Sequence, residues 1–205
     1  MQKIFVTGIS TEVGKTIASS IIVEALQADY WKPVQAGELA NTDSKKVADL
    51  ISNTKTTIHP SSYELKSPMS PHAAAEIDGE RIDRFHIKEP QTKNHLVIEG
   101  AGGLLVPLNE EDTILDIIMP GYKVIVVSRH YLGSINHSLL TIGLLKLKGY
   151  NVSVLFSGDA HPSTEDIILH KTGVPLIGRI NEEETFNKEV IKKYADTFRS
   201  SLESL

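Results

Sequence analysis

The chain has 205 residues, 40% hydrophobic and 23% charged, a composition typical of one folded globular domain. Its formal net charge is −5 and it has no cysteine, which excludes disulfides and thiolate chemistry and disfavours binding to nucleic-acid phosphates. No apolar run reaches the roughly 18 residues of a membrane span. We therefore expect a cytoplasmic protein without nucleic-acid or membrane partners, folded as a single domain over residues 1–205.

Six short runs rich in β-branched residues predict six strands. They are Lys3–Thr7, Tyr30–Val34, His95–Ile98, Lys123–Val127, Asn151–Phe156 and Pro175–Ile180. Several of these runs are apolar almost throughout, which is typical of strands covered on both faces.

Stretches with helical spacing of apolar residues alternate with these strands. The predicted helices are Lys15–Ala28, Asp43–Ser52, Ile135–Lys148, Thr164–Lys171 and Glu184–Leu202. The alternation predicts an α/β, doubly wound fold, with a mainly parallel sheet and helices on both faces. We expect the proline-containing stretch 53–94 to be a long excursion, with short helices near His72–Glu76 and Asp83–Glu89.

A glycine-rich loop, Gly8–Thr16, joins the first predicted strand to the first predicted helix. In this setting backbone N–H groups of the loop and of the helix N-terminus point at phosphate oxygens. Lys15 would hold the outer phosphates, and the Thr16 hydroxyl would bind Mg²⁺. Five residues separate Gly8 from Gly14, one more than in the common motif. The loop still predicts the P-loop nucleotide-binding fold, with ATP and Mg²⁺ as ligands.

Three further segments follow strands and should meet at the carboxyl edge of the sheet, where doubly wound proteins bind ligands. Lys32 should lie beside the phosphate loop, and Pro33 indicates that strand pairing stops there. Asp43 is a helix N-cap, a metal ligand or both. Glu99 ends a buried strand and precedes several glycines, which makes it a second candidate ligand for Mg²⁺.

Six segments, in order and at similar spacing, match one family over nearly the whole chain. They are Gly8–Thr16, Lys32-Pro33-Val34, Asp43, Ser70-Pro71-His72, Glu99-Gly100-Ala101-Gly102-Gly103 and Leu132-Gly133-Ser134-Ile135-Asn136-His137. With these segments the chain closely resembles dethiobiotin synthetase. The resemblance implies a homodimer that uses ATP and Mg²⁺ to convert 7,8-diaminononanoate and CO₂ into dethiobiotin. A carbamate and a carbamic–phosphoric anhydride are the implied intermediates.

The resemblance also implies roles for individual residues. The implied catalytic residues are Thr11, Lys15 and Lys32, and the implied Mg²⁺ ligands are Thr16, Asp43 and Glu99. The implied contacts of the nucleotide and its metal are Glu12, Val13, Gly14, Lys15, Thr16, Ile17, Asp43, Glu99, Gly100, Ala101, Gly102, Gly158 and Asp159. The implied substrate contacts are Lys32, Ala36, Gly133, Ser134, Ile135 and Asn136. The substrate carboxylate would bind at the start of the helix after Gly133, across the subunit interface.

Four positions depart from the family pattern. Ser10 replaces a common aspartate, and Asn181 replaces a proline. Ala36 stands where a serine or threonine usually contacts the substrate, and Gly158 stands where an asparagine typically reads the adenine. None of the four is an expected metal or phosphate ligand. The departures therefore bear on base and substrate recognition, and not on the class of reaction.

Two other functions stay open on the sequence alone. Another P-loop amide-forming ligase would need an ammonia source, and the chain has no cysteine for a glutaminase and no length for a second domain. A partner-regulated ATPase switch would carry an additional lysine early in the phosphate loop, where Ile9-Ser10-Thr11 offers none.

Overall fold

A computed structural model describes all 205 residues, arranged as nine strands and six helices. The strands are β1 (Lys3–Gly8), β2 (Asp29–Trp31), β3 (Val34–Ala36), β4 (Ile58–His59), β5 (Tyr63–Leu65), β6 (Leu96–Gly103), β7 (Lys123–Arg129), β8 (Asn151–Ser157) and β9 (Leu176–Ile180). The helices are α1 (Lys15–Leu26), α2 (Asp43–Leu50), α3 (Pro71–Asp78), α4 (Ser134–Leu147), α5 (Pro162–Thr172) and α6 (Lys188–Glu203). None of the helices combines the length and the apolar character that a membrane crossing requires.

Seven strands form one sheet in the order β4-β2-β6-β1-β7-β8-β9, and every pair in it is parallel. Strands β2, β4 and β6 lie on one side of β1, with β6 next to it. Strands β7, β8 and β9 follow on the other side in chain order. Helices α1, α2 and α6 pack together, as do α4 and α5. The predicted doubly wound α/β fold is confirmed.

The central strand explains why its sequence is apolar throughout. Ile4, Phe5 and Val6 of β1 are fully buried within one cluster of 47 hydrophobic residues. Parallel strands in the middle of such a sheet are covered on both faces, so no solvent-facing positions alternate along them. The carboxyl end of β1 leads straight into the glycine-rich loop, which a rigid core therefore supports.

The prediction of one strand over Tyr30–Val34 is wrong. The structure divides it between β2, which ends at Trp31, and β3, which begins at Val34. Strand β3 pairs with β5 in a separate two-stranded sheet. Pro33 has no N–H to donate, and it separates the two ladders. Lys32 therefore lies between two strands and belongs to neither.

The stretch 53–94 is more ordered than the sequence predicts, since it contains β4, β5 and α3. The helix expected over Asp83–Glu89 is only a single 3₁₀ turn, Arg84–His86, capped by the Asp83 side chain. Strand β4 has two residues and β5 has three, too few for alternation to be visible. The last helix begins at Lys188 and not at Glu184, because the Asn187 side chain caps it there.

A buried carboxylate ties α1 to the end of α2. Glu24 accepts hydrogen bonds from the backbone N–H groups of Ser52 and Asn53, at 2.9 and 3.0 Å, and from both of their side chains. Burial alone would raise the pKa of Glu24, but these four hydrogen bonds outweigh it and lower the pKa. Helix α2 begins at Asp43, a candidate metal ligand. The hydrogen bonds of Glu24 therefore also hold the helix that carries this ligand.

We expect Glu24→Gln to lower the free energy of unfolding at pH 7 by about 1–3 kcal/mol, because an amide cannot accept all four donors. The pKa of Glu24 is lower in the folded state. Its ionic contribution is therefore complete above the unfolded-state pKa and is lost as the pH falls through the folded-state value. Urea unfolding of both proteins should show a smaller difference at acid pH than at pH 7. Equal differences at both pH values would contradict this role.

Candidate nucleotide and metal site

The glycine-rich loop has the backbone of an anion-binding turn. Glu12 and Gly14 adopt left-handed conformations, with φ of 54° and 93°. The positive φ of Gly14 favours glycine, and a Cβ at this position would also lie 2.9 Å from the Ser157 hydroxyl oxygen. No side chain caps α1, and its first turn has no acidic residue. The N-terminal N–H groups of α1 can therefore bind an anion such as phosphate.

A cavity of about 770 Å³ lies beside this loop at the carboxyl edge of the sheet. It brings together most of the residues that the sequence singles out. Those lining it are Thr11, Glu12, Gly14, Lys15, Thr16, Ile17, Lys32, Ala36, Asp43, Glu99, Ala101 and Gly102. Expected phosphate, metal and substrate contacts from four separate segments thus share one cavity.

The other expected contacts lie elsewhere. Val13 is buried in the core, and Gly100 contributes only its carbonyl, which accepts a hydrogen bond from Lys32. Gly158 and Asp159 follow β8, outside the cavity lining. Gly133, Ser134, Ile135 and Asn136, at the start of α4, are also outside it.

The centre of the cavity wall is a buried ammonium between two carboxylates. Lys32 Nζ lies 2.7 Å from Asp43 Oδ2 and 3.0 Å from Glu99 Oε1. Lys32 is 4% exposed and Glu99 is fully buried. Burial lowers the pKa of Lys32, but the charges of Glu99 and Asp43 outweigh it, so the pKa is raised. Burial raises the pKa of Asp43, and Lys32 reverses this and lowers it.

The oxygen atoms around Lys32 suit Mg²⁺. The Thr16 hydroxyl donates to Glu99 Oε1 at 3.0 Å, so a hydroxyl and two carboxylates converge. No three histidine, cysteine or acidic side chains form a cage that could hold a metal by themselves. Mg²⁺ does not need one, because it usually takes one or two carboxylates and completes its shell with water and phosphate. The Lys32 ammonium shows that the two carboxylates attract a cation to this place. The oxygen atoms of Thr16, Asp43 and Glu99 therefore fit Mg²⁺.

Lys15 is a second cation beside Lys32. Its ammonium donates to the Ser10 carbonyl at 3.1 Å. Burial, and then repulsion from Lys32, lower the pKa of Lys15 to about 8. An anion bound in the loop would relieve this repulsion, because it would face both ammonium groups.

Three residues of the site were not predicted from the sequence: Tyr30, Gln35 and Lys46. The Tyr30 hydroxyl donates to Glu99 Oε2 at 2.9 Å, and burial, followed by the Glu99 charge, raises the pKa of Tyr30 well above its usual value. Gln35 Oε1 accepts from the Asp43 N–H at 3.1 Å. Lys46 Nζ lies 3.7 Å from Asp43 Oδ1. Two signals were present in the sequence: Tyr30 is two positions before Lys32, and Lys46 is one helical turn after Asp43.

Gly158 directly follows β8 and lies beside the carboxylate of Glu182. Its φ is 95°, and its N–H donates to the Ile180 carbonyl at 2.8 Å. A Cβ at this position would lie 3.3 Å from Glu182 Oε1. Glu182 is held there by an ion pair with Arg129. The carboxylate of Glu182 thus lies close beside Gly158, and a side chain introduced at this position would require it to shift slightly.

Comparison with known proteins decides the family. A family model described as an AAA domain matches residues 2–190. An ATP-dependent dethiobiotin synthetase of Christiangramia forsetii is 54% identical, over 97% of this chain and 96% of the relative. The same-named protein of Cytophaga hutchinsonii is 48% identical, over 95% and 96%. The chain belongs to the dethiobiotin synthetase family. The resemblance drawn from six short segments is confirmed.

Two solved structures with a similar fold carry the names of other kinds of protein. A plasmid partition protein of Borrelia burgdorferi, bound to AMPPNP, has a TM-score of 0.64 at 15% identity and covers 100% of this chain and 99% of its own. The cell-division complex of MinC and MinD from Aquifex aeolicus matches with a TM-score of 0.61 at 15% identity, over 100% and 97%. At such low identity these likenesses show the P-loop fold alone.

Gly158 generates a prediction about nucleotide selectivity. A site that offers few side-chain hydrogen bonds to the base rejects other bases only weakly. We therefore expect kcat/KM for ATP to exceed that for CTP or GTP by no more than about tenfold, or 1.4 kcal/mol. Steady-state kinetics with the three nucleotides measures this. A preference of about a thousandfold would contradict it and would point to base reading by neighbours such as Glu182.

Proposed function

We propose that the chain is an ATP- and Mg²⁺-dependent dethiobiotin synthetase of the cytoplasm, which closes a cyclic urea from 7,8-diaminononanoate and CO₂. The buried Lys32–Asp43–Glu99 cluster beside the phosphate loop carries this proposal. In the same cavity this cluster meets the backbone of the phosphate loop and a second lysine, Lys15. The names and high identity of the relatives support the choice of substrate.

The proposed reaction has three steps. An amine of the substrate adds to CO₂ and loses a proton, which gives a carbamate. A carbamate oxygen attacks the γ-phosphorus of ATP, and ADP leaves with the electrons of the broken P–O bond, which gives a carbamic–phosphoric anhydride. The second amine then attacks the carbonyl carbon and loses a proton, and phosphate leaves as the ring closes.

A carbamate is a weak nucleophile toward a highly charged phosphate, so positioning and charge neutralisation must supply most of the rate. In the proposal, Lys15 holds the outer phosphates and Lys32 neutralises the phosphoryl group in transfer. Thr11 and Glu12 line the cavity next to the loop and contact the phosphates and the amino end of the substrate. Mg²⁺, held by Thr16, Asp43 and Glu99, would supply further positive charge at the phosphates.

The surface around α4 supports a homodimer. Leu132, Ile135, Leu140 and Leu147 are exposed along this helix and the turn before it, and Gly143 has open space in front of its Cα. Apolar side chains exposed in one region are typical of a protein–protein interface. The α4 start, which would bind the substrate carboxylate, does not line the chain's own cavity. We therefore propose that each subunit supplies this carboxylate site to its partner.

Phosphate release from ATP and Mg²⁺ tests the reaction. With bicarbonate present, we expect phosphate release to require 7,8-diaminononanoate. The amount of phosphate should equal the amount of a product that has the mass of dethiobiotin. The reason is that phosphate leaves only after the substrate carbamate has been phosphorylated. Phosphate release at the same rate with and without the diamine would contradict the proposal and favour an ATPase switch. Release that depends on ammonia and a carboxylate would instead favour another amide-forming ligase.

Removing the charge of Lys32 or Lys15 tests the phosphate chemistry. We expect Lys32→Gln and Lys15→Gln each to lower kcat by at least about a hundredfold, near 3 kcal/mol, since a preorganised charge in a closed site contributes that much. Lys55→Gln is the matched control, because Lys55 is exposed and its ammonium donates to Gln27 Oε1 at 2.8 Å, away from the cavity. Near-normal turnover of Lys32→Gln would remove this residue from the mechanism.

A further inference from the structure

The two carboxylate oxygens of Glu99 have different partners. Oε1 accepts from the Thr16 hydroxyl and from the Lys32 ammonium, both at 3.0 Å. Oε2 accepts from the Tyr30 hydroxyl at 2.9 Å. Only Oε1 therefore faces the groups that line the cavity, and Oε2 is held from behind by a phenol.

The position of Tyr30 follows from the pairing of two strands. Strand β2 runs parallel to β6, with Tyr30 opposite Val97. Side chains of alternate residues lie on the same face of a strand, so Glu99 shares the face of Val97. The phenol hydroxyl of Tyr30 thereby reaches Glu99, two residues beyond Val97 within β6.

Burial makes this hydrogen bond hard to replace. Tyr30 and Glu99 are both fully buried, so water cannot take the place of the missing hydroxyl. Without that hydroxyl Glu99 Oε2 would have no donor, and the carboxylate could rotate about its last bond. Asp43 differs in this respect, because its side chain is 20% exposed to solvent.

We infer that Tyr30 is a positioning residue for Glu99, whose carboxylate it orients so that Oε1 faces the cation site. The inference rests on the proposed function, in which Glu99 contacts Mg²⁺. Tyr30 does not line the cavity, and it acts through the carboxylate. Groups that orient metal ligands from behind in this way are worth about ten- to a hundredfold in metal affinity.

Tyr30→Phe tests the inference, because it removes one hydroxyl and keeps the ring in the core. Mn²⁺ replaces Mg²⁺ so that binding can be followed by EPR, with a non-hydrolysable ATP analogue present. We expect the variant to bind Mn²⁺ about ten- to a hundredfold more weakly. Tyr150→Phe is the matched control, since its hydroxyl donates to the Ile118 carbonyl at 2.6 Å, away from the cavity. The control should keep its affinity for Mn²⁺.

A double-mutant cycle separates positioning from a purely structural role. If Tyr30 acts through Glu99, Tyr30→Phe should change Mn²⁺ affinity by less than about twofold once Glu99→Gln is present. An equal loss in both backgrounds would overturn the inference, as would Tyr30→Phe with lowered thermal stability but unchanged Mn²⁺ affinity. If Glu99→Gln alone left Mn²⁺ affinity unchanged, the proposed metal role of Glu99 would fail, and the inference with it.

Discussion

One buried interaction organises this site: the Lys32 ammonium held between the carboxylates of Asp43 and Glu99. Burial disfavours the charges of Lys32 and Asp43, and the oppositely charged groups of the cluster offset that cost. Together they are compensated, and they keep a positive charge and two anionic oxygens beside the phosphate loop. The same arrangement can neutralise a phosphate and hold a divalent cation. The chemistry proposed for the chain depends on both abilities.

The fold holds this cluster from several directions. Pro33 ends the pairing of β2 and leaves Lys32 between two ladders. Gln35 binds the backbone of Asp43, and Glu24 anchors the far end of the helix that Asp43 begins. Pro33 acts by ending a strand, and Gln35 and Glu24 act by accepting hydrogen bonds from backbone N–H groups. A change at one of them would alter the site without touching a ligand.

The sequence predicts the parts of this site that depend on local pattern. The phosphate loop is continuous in sequence, and Lys32 follows β2 while Glu99 lies within β6, a parallel neighbour whose carboxyl end shares the same edge of the sheet. Contacts between distant residues leave no such pattern: Tyr30 and Glu99 are 69 positions apart. Pro33 indicated where the pairing of β2 stops, but the short strands β3, β4 and β5 were missed, because so few residues show no periodicity. The approach of Glu182 to Gly158 is likewise a contact between separate segments that no local pattern indicates.

A crystal structure of the chain with Mg²⁺ and a non-hydrolysable ATP analogue would test the role of the Lys32–Asp43–Glu99 cluster most directly. We expect a cation in contact with Thr16, Asp43 and Glu99, and Lys32 Nζ within about 3 Å of a terminal phosphate oxygen. A triphosphate bound in the loop, with Lys32 still between the two carboxylates and no cation there, would contradict the account.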